Sequence, residues 1–480
     1  MSDLKDKTIK GVFWQFAERI GAESVTLLVS IVLARLLLPE DYGIIALIQV
    51  FISFSTVFIT SGFSAALIQK KDANESDFYS ALYASIVLGI VLYGILFFAA
   101  PAIADFYNKK EVIGVLRVLS LEIPILSVKS IEQAYLTKKF QFKSFFYATI
   151  IGTLFSAVVG ITMAYLGFGV WALCAQSLTN YTIDTIALAV LIKKPIKRIF
   201  SIDSIKGLFD FSFKMLMAGL INSLYMNLKN LIIGKVYTVT DLSYFNKGEQ
   251  FPRLFASNIS TTIETVFFPA LSSEQDNIAT VKRLTKRFVK VSTYLMFPIL
   301  LGFASIADTL VPFLLTEKWN GCIIYLQIFC FMYLFNPLQI ATLQPIKALG
   351  YATLYLKTEI IRKVIGFVII ILSMNYGVVA IAIASLGISV FNWLVNSYTA
   401  AKSYGYSALE QIRDFSGNLI ISIVMGLLVL LANRLPLHPF LVLMIQICGG
   451  IVSYCILSIM THNETFYYLK HYIQEKMIKR

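Results

Sequence analysis

Charge is scarce in this chain. Of 480 residues only 14% are Asp, Glu, Lys or Arg, where an ordinary soluble domain carries about a quarter, and a surface that poor in charge would not keep a protein of this length in water. The five cysteines, Cys174, Cys322, Cys330, Cys448 and Cys455, form no C-x-x-C pair and lie in or beside apolar runs. They are expected as small buried hydrophobes, not as a disulfide framework or a thiolate metal site. The three histidines, His438, His462 and His471, lack metal spacing. With no phosphate loop, dinucleotide fingerprint or G-x-S-x-G elbow, nucleotide hydrolysis and acyl chemistry have no home here, and no cofactor is implied. The chain also lacks any polar segment long enough to fold as a soluble domain, so its net charge of +13 has no basic soluble face to offer nucleic acid.

Apolar runs are abundant. Hydrophobic residues make up 57% of the chain and recur in stretches longer than the roughly 20 residues that cross a bilayer. The pattern predicts an all-α polytopic membrane protein with about 14 transmembrane helices, at 11–36, 42–68, 80–104, 112–136, 144–166, 169–192, 207–234, 241–271, 288–315, 322–346, 355–374, 377–401, 416–433 and 438–461. The first run exceeds a signal-peptide core and has no cleavage pattern after it, so it is expected to be retained. Basic residues crowd alternate breaks and both tails, as at Lys138, Lys139 and Lys143, at Lys193, Lys194, Lys197 and Arg198, and at Lys282, Arg283, Lys286, Arg287 and Lys290. That asymmetry places both termini in the cytoplasm. Arg362 and Lys363, near a span end, are expected to snorkel to headgroups.

The chain also matches itself. Ile9-Lys10-Gly11-Val12-Phe13 resembles Ile205-Lys206-Gly207-Leu208-Phe209, Arg35 and Asp41 pair with Lys235 and Asp241, and the stripe Gln49, Ser53, Thr56, Thr60 has the spacing of Arg253, Ser257, Ser260, Glu264. These matches predict two pseudo-symmetric six-helix lobes around a central cavity. The N-terminal lobe would be 1–202, the C-terminal lobe 203–402, and 403–480 would hold two further spans and a basic cytoplasmic tail.

Ionised residues at bilayer depth face a bundle interior or a watery path. Segment 241–272 sets Asn246, Gln250, Arg253, Ser257, Ser260 and Glu264 on one stripe, with Pro252 as a kink. The first span carries Gln15, Arg19 and Glu23 on one stripe, and the seventh carries Lys214, Asn222 and Lys229. Together with Gln49 these predict a polar, net-basic cavity suited to an anionic headgroup, which gains charge-assisted hydrogen bonds there. The bland alternative is helix–helix glue, pairing Glu18 or Glu23 with Arg19 and Lys214 with Asp210. Glu23, Asp184 and Glu264 are candidates for proton or cation coupling, each also readable as half of a salt bridge.

Leu33-Ala34-Arg35-Leu36-Leu37-Leu38-Pro39-Glu40-Asp41-Tyr42-Gly43, Ser61-Gly62-Phe63-Ser64-Ala65-Ala66-Leu67-Ile68-Gln69, Gly167-Phe168-Gly169-Val170-Trp171-Ala172-Leu173 and Phe267-Phe268-Pro269-Ala270-Leu271-Ser272 closely resemble the polysaccharide transporter (Wzx-type) flippases of the multidrug/oligosaccharidyl-lipid/polysaccharide exporter superfamily. The resemblance implies a transporter of the bacterial inner membrane. It would turn an undecaprenyl-pyrophosphate-linked oligosaccharide from the cytoplasmic to the periplasmic leaflet by alternating access, for O-antigen, capsule or exopolysaccharide. It further implies that Arg19 and Arg253, with Lys214 and Lys229, meet the pyrophosphate, and that membrane lipid, a glycan polymerase and chain-length machinery are partners. Two alternatives stand beside it. A cation-coupled multidrug antiporter of the same superfamily would want a net acidic lumen, and a membrane glycan polymerase or ligase would want a sizeable outer loop.

Overall fold

The computed structural model describes residues 2–139, 141–192 and 197–478, and within its helices the side chains of 2–13, 15–17, 19, 20, 210, 259–266, 472, 473 and 476–478 lie outside the description. Every regular element among the described residues is a helix. In an apolar solvent that outcome is forced, because a helix satisfies its backbone hydrogen bonds within one segment. In chain order the helices are α1 (Ser2–Leu36), α2 (Pro39–Ile59), α3 (Ala65–Gln69), α4 (Glu75–Tyr107), α5 (Glu111–Leu119), α6 (Glu122–Lys138), α7 (Phe142–Tyr165), α8 (Val170–Ile192) and α9 (Ile202–Val236). They continue as α10 (Val239–Ser272), α11 (Ile278–Leu315), α12 (Ile323–Tyr333), α13 (Asn336–Ala348), α14 (Ala352–Ser373), α15 (Val378–Tyr404), α16 (Ala408–Leu431), α17 (Pro439–Met460) and α18 (Glu464–Ile478). Among the described residues, eight helical segments are long and apolar enough to cross a membrane. Their outer faces leave Phe98, Phe155, Val158, Ile420, Leu427 and Ile451 exposed, a surface that water would not tolerate and lipid requires.

The repeat is visible helix by helix. α1 and α9 are both 35 residues long. The turns that follow are capped alike: Asp41 Oδ2 accepts from the Leu38 N–H at 2.9 Å, and Asp241 Oδ2 accepts from the Thr238 N–H at 3.2 Å. Asn74 Oδ1 caps α4 through the Asp77 N–H, and Asn277 Oδ1 caps α11 through the Thr280 N–H. Next comes a broken helix in each half, α5 with α6 and α12 with α13. The packing partners repeat too: α4 with α6, α5 with α8, α6 with α8 and α7 with α8 correspond to α11 with α13, α12 with α15, α13 with α15 and α14 with α15. The caps fix the register of α2 against α10 and set Ser53 opposite Arg253, one turn from the Gln49 that the stripe comparison chose. One turn keeps the same helix face.

In space the chain divides into two compact units, Met1–Ser243 and Tyr244–Arg480. The repeat boundary at 202 and this division do not coincide, because α9 packs on α2, α3 and α4 of the first unit. The first unit is drawn together by small residues. α7 meets α8 so closely that a Cβ on Gly152 would lie 3.1 Å from the Asp184 Cβ, and one on Gly160 2.8 Å from the Gln176 Cβ; without a hydrophobic force between helices in lipid, such close approach supplies the attraction. The second unit is built around α11, which packs on α12, α13, α15, α16, α17 and α18. An aromatic knot of Phe245, Tyr325 and Phe329 locks the start of α10 onto α12, with ring centroids 5.0–5.8 Å from Phe245.

Cys174, Cys322 and Cys330 are buried, as expected, whereas Cys448 and Cys455 lie exposed on α17. Their helix is apolar nearly all round, so hydropathy could not separate its packed face from its outer one.

Candidate functional site

Polar side chains lie exposed or half-buried on helices of each unit. On α2 Gln49 is exposed between the buried Leu47, Ile48 and Val50, and on α9 Lys214 and Asn222 are exposed and Lys229 half-buried. In the second unit α10 exposes Arg253 and half-buries Ser257, whose hydroxyl donates to the Leu254 carbonyl at 3.2 Å. α10 runs through both Pro252 and Pro269 as one helix. Glu23 is half-buried on α1. Gln15, Arg19, Ser260, Glu264 and Asp210 were also singled out by sequence, and their side chains lie outside the described residues. The surroundings of Arg253 include groups that periodicity did not select. Glu249, one turn earlier, accepts from the Tyr333 hydroxyl at 2.9 Å. Lys247 on the same helix is buried at 5% exposure, with its ammonium 5.5 Å from the Trp319 ring. Trp319 comes from the turn after α11, too distant in sequence for any helical pattern to announce.

A second polar site lies within the first unit. Asp184 on α8 forms an ion pair with Lys129 on α6 at 2.5 Å, and the same ammonium sits 5.1 Å from the Tyr181 ring. Asp184 therefore has the salt-bridge partner that sequence left open. Asn180, one turn earlier on α8, reaches Thr153 and Ser156 on α7. Two further acids on α6, Glu122 and Glu132, were not selected by sequence. Glu122 is 1% exposed, and among the described residues no donor reaches Glu122 Oε1, Glu132 Oε2 or Asp184 Oδ1. The signal was available: 122–132 places two acids and a lysine inside an apolar stretch, at spacings that return to one helix face.

The corresponding helices of the second unit are built differently. Arg362 on α14 pairs with Glu359 at 2.7 Å and reaches Gln339 on α13 at 3.4 Å, while Gln339 donates to Ser389 on α15 at 2.8 Å. Arg362 thus turns inward to a partner instead of snorkelling to headgroups.

Outside the spans, ion pairs hold the ends. Lys109 donates to Glu40 at 2.8 Å, which raises its basicity, and Lys290 donates to Glu464 at 2.7 Å, which holds that carboxyl below its ordinary range. Among the described residues no group of three or more His, Cys, Asp or Glu could hold a metal ion.

A family model described as "Polysaccharide biosynthesis protein" matches residues 32–324. The succinoglycan biosynthesis transport protein ExoT of Rhizobium meliloti (strain 1021) is 21% identical over 314 residues, a match spanning 65% of this chain and 64% of that protein. The lipopolysaccharide biosynthesis protein WzxC of Escherichia coli (strain K12) is 23% identical over 68% of this chain and 67% of its own length. Among solved structures, the lipid II flippase MurJ in an inward closed conformation superposes with a TM-score of 0.76 at 16% identity, covering 95% of this chain and 100% of that one. At that identity the likeness establishes the fold.

Proposed function

We propose, since the chain belongs to the polysaccharide biosynthesis protein family, that it is a flippase for a lipid-linked oligosaccharide, carrying an undecaprenyl-pyrophosphate-linked glycan from the cytoplasmic to the periplasmic leaflet of the bacterial inner membrane. The relatives act in the synthesis of succinoglycan and lipopolysaccharide by name, which supports an exopolysaccharide, O-antigen or capsule glycan as cargo. The observation that carries the reading is the exposure of Arg253, Lys214 and Asn222 on helices α9 and α10, which the sequence reading takes as spans. A guanidinium facing hydrocarbon is costly, so these faces border water or an anionic ligand. A pyrophosphate supplies the acceptors a guanidinium fork fits, and sugars match the neutral Gln49, Asn222 and Ser257. On the grounds of sequence spacing, Gln15, Arg19 and Glu23 are read as the polar stripe of α1, and Ser260 and Glu264 as positions on the α10 stripe of Arg253. Alternating access follows from the need to pass a polar head while the prenyl tail remains in lipid.

Export of lipid-linked glycan in cells carrying Arg253→Ala or Lys214→Ala tests this. Surface glycan is expected to fall about tenfold or more for Arg253→Ala, one lost charge-assisted contact being worth roughly 1.5–3 kcal/mol. Normal surface glycan at normal protein level would remove the role given to Arg253. Binding by the purified protein separates the flippase from a drug antiporter: an anionic prenyl-pyrophosphate glycolipid should bind and a cationic dye should not.

A further inference from the structure

Where α4 and α9 begin, the first unit holds a cavity that the polar stripes do not use. It measures about 540 Å³ and lies between α2, α4 and α9, walled by Phe58, Val87, Phe200, Phe209 and Phe213. Past the end of α2 the backbone leaves the α-helix: Thr60–Ser64 forms a π turn with Gly62 at φ −84° and ψ −117°. Gly62 lines the cavity, and a Cβ on it would meet nothing within 4 Å. Such turns recur at functional sites, and this one leaves room open. One hydroxyl shares the apolar wall. Ser212 on α9 is 6% exposed, and its Oγ has no hydrogen-bond partner among the described residues. Leaving a buried hydroxyl unpaired is costly, so an acceptor entering the cavity would be favoured there.

The rim of the cavity is tied down and positively charged. Tyr83, another lining residue, donates its hydroxyl to the Lys197 carbonyl at 3.0 Å, the Ser201 N–H donates to Ser80 Oγ at 2.8 Å, and the Lys197 ammonium pairs with Glu75 at 2.6 Å. Residues 197–201 are thereby pinned across the start of α4. Arg198 and Lys206 are exposed on the same rim, with Asp203 as the acid between them. Since Glu75 already answers Lys197, positive charge is left in excess. Arg198 is two residues from Phe200, and Lys206 is one turn before Phe209 on the same face of α9, so both are within side-chain reach of the cavity mouth. Ser212 lies about 9 Å further along α9 than Lys206.

We propose that this cavity binds one anionic glycerophospholipid of the surrounding membrane, with an acyl chain among Phe58, Phe209 and Phe213, an ester carbonyl accepting from the Ser212 hydroxyl, and the phosphate held at the mouth by Arg198 and Lys206. The parts of the site follow the order of the parts of the lipid: charge at the mouth, a single donor below it, hydrocarbon walls around. Basic pockets between membrane helices hold anionic headgroups, and a guanidinium gives a phosphate charge-assisted hydrogen bonds. Ser212 selects an ester-linked lipid over a prenyl chain, which has no acceptor below its phosphate. The excess of positive charge selects against a zwitterionic headgroup, which carries its own cation. Because α2, α4 and α9 all wall the cavity, a bound lipid stabilises their packing. The site stands independently of the cargo proposed above.

The test uses the full chain, purified in detergent and stripped of lipid. Retention of added dioleoyl phosphatidylglycerol or dioleoyl phosphatidylcholine is read by native mass spectrometry, and the melting temperature is followed alongside. One phosphatidylglycerol per chain, held about fivefold or more in preference to phosphatidylcholine and with a raised melting temperature, is the expected result. Ser212→Ala should melt like the wild type without lipid, since no hydrogen bond is lost, and should hold phosphatidylglycerol about fivefold less well. Ala84→Phe, which fills the cavity from α4, should retain none. Arg198→Gln/Lys206→Gln should hold the two lipids equally. Equal retention of both lipids by the wild type overturns the proposal, as does wild-type retention in both Ser212→Ala and Ala84→Phe, which marks lipid bound over the outer surface only. Displacement of phosphatidylglycerol by undecaprenyl phosphate, to the same extent in wild type and Ser212→Ala, overturns it in favour of a prenyl chain.

Discussion

Lys129 and Arg253 are both cations in apolar helices, and their neighbours separate them. Arg253 is exposed, which suits the ligand proposed for it, whereas Lys129 is fixed on Asp184 and acts on the fold. Lys129→Met should therefore cost about 3–5 kcal/mol, the usual penalty for stranding one partner of a buried pair, seen as a lower melting temperature in detergent. The double variant Lys129→Met/Asp184→Asn should recover most of that loss, since no lone charge remains. Equal melting of wild type and Lys129→Met at neutral pH would show that the pair contributes nothing.

At the scale of elements, close backbone approach sets the limits. Gly248 on α10 lies against α12, where a Cβ would sit 2.6 Å from the Tyr325 Cβ and 2.8 Å from the Leu326 nitrogen. Gly248→Ala should push the two helices apart and cost about 1–3 kcal/mol; an unchanged melting temperature would mean that α10 slides freely. The apolar helices themselves were legible, because a span announces itself by length and hydropathy. Their interruptions were not. Spans read as continuous at 112–136 and 322–346 break between α5 and α6 and between α12 and α13, although Pro124 and Pro337 stand at the start of each second piece. Proline is tolerated in membrane helices, so hydropathy passes over it. The polar stripe was half legible: periodicity selects a face, and Gln49, Lys214 and Arg253 on the faces it selected are exposed. It cannot say what covers a face from a distant helix, and so Lys247 under Trp319 and Lys129 against Asp184 went unseen.

On the scale of the molecule, the C-terminal helix is held by charge. Lys290 on α11 joins Glu464 at 2.7 Å and Asp414 at 3.8 Å, Arg287 lies 3.8 Å over the Tyr468 ring, and Asn463 caps α18 while bonding Asn418. These contacts flank a cavity of about 260 Å³. Glu464 has its carboxyl held below the ordinary value, principally by the hydrogen bond from Lys290. Such a group stabilises above its unfolded pKa and loses that contribution as pH falls through the lower folded value. The pair is largely exposed, so the gain is small and salt-sensitive. Proteolysis between α17 and α18 should accelerate below about pH 4 and in Lys290→Ala at neutral pH. Equal cleavage of wild type and variant would show that α18 is held by packing alone.

The matched turns, caps and broken helices have a historical corollary. Two halves that share such details descend from one sequence that was once half as long and, to complete the same scaffold, had to pair with a copy of itself. In such a homodimer any acid cluster appears twice or not at all. Fusion removed that constraint, and one copy kept the buried carboxylates of Glu122 and Asp184 while the other settled on the neutralised pair of Arg362 and Glu359.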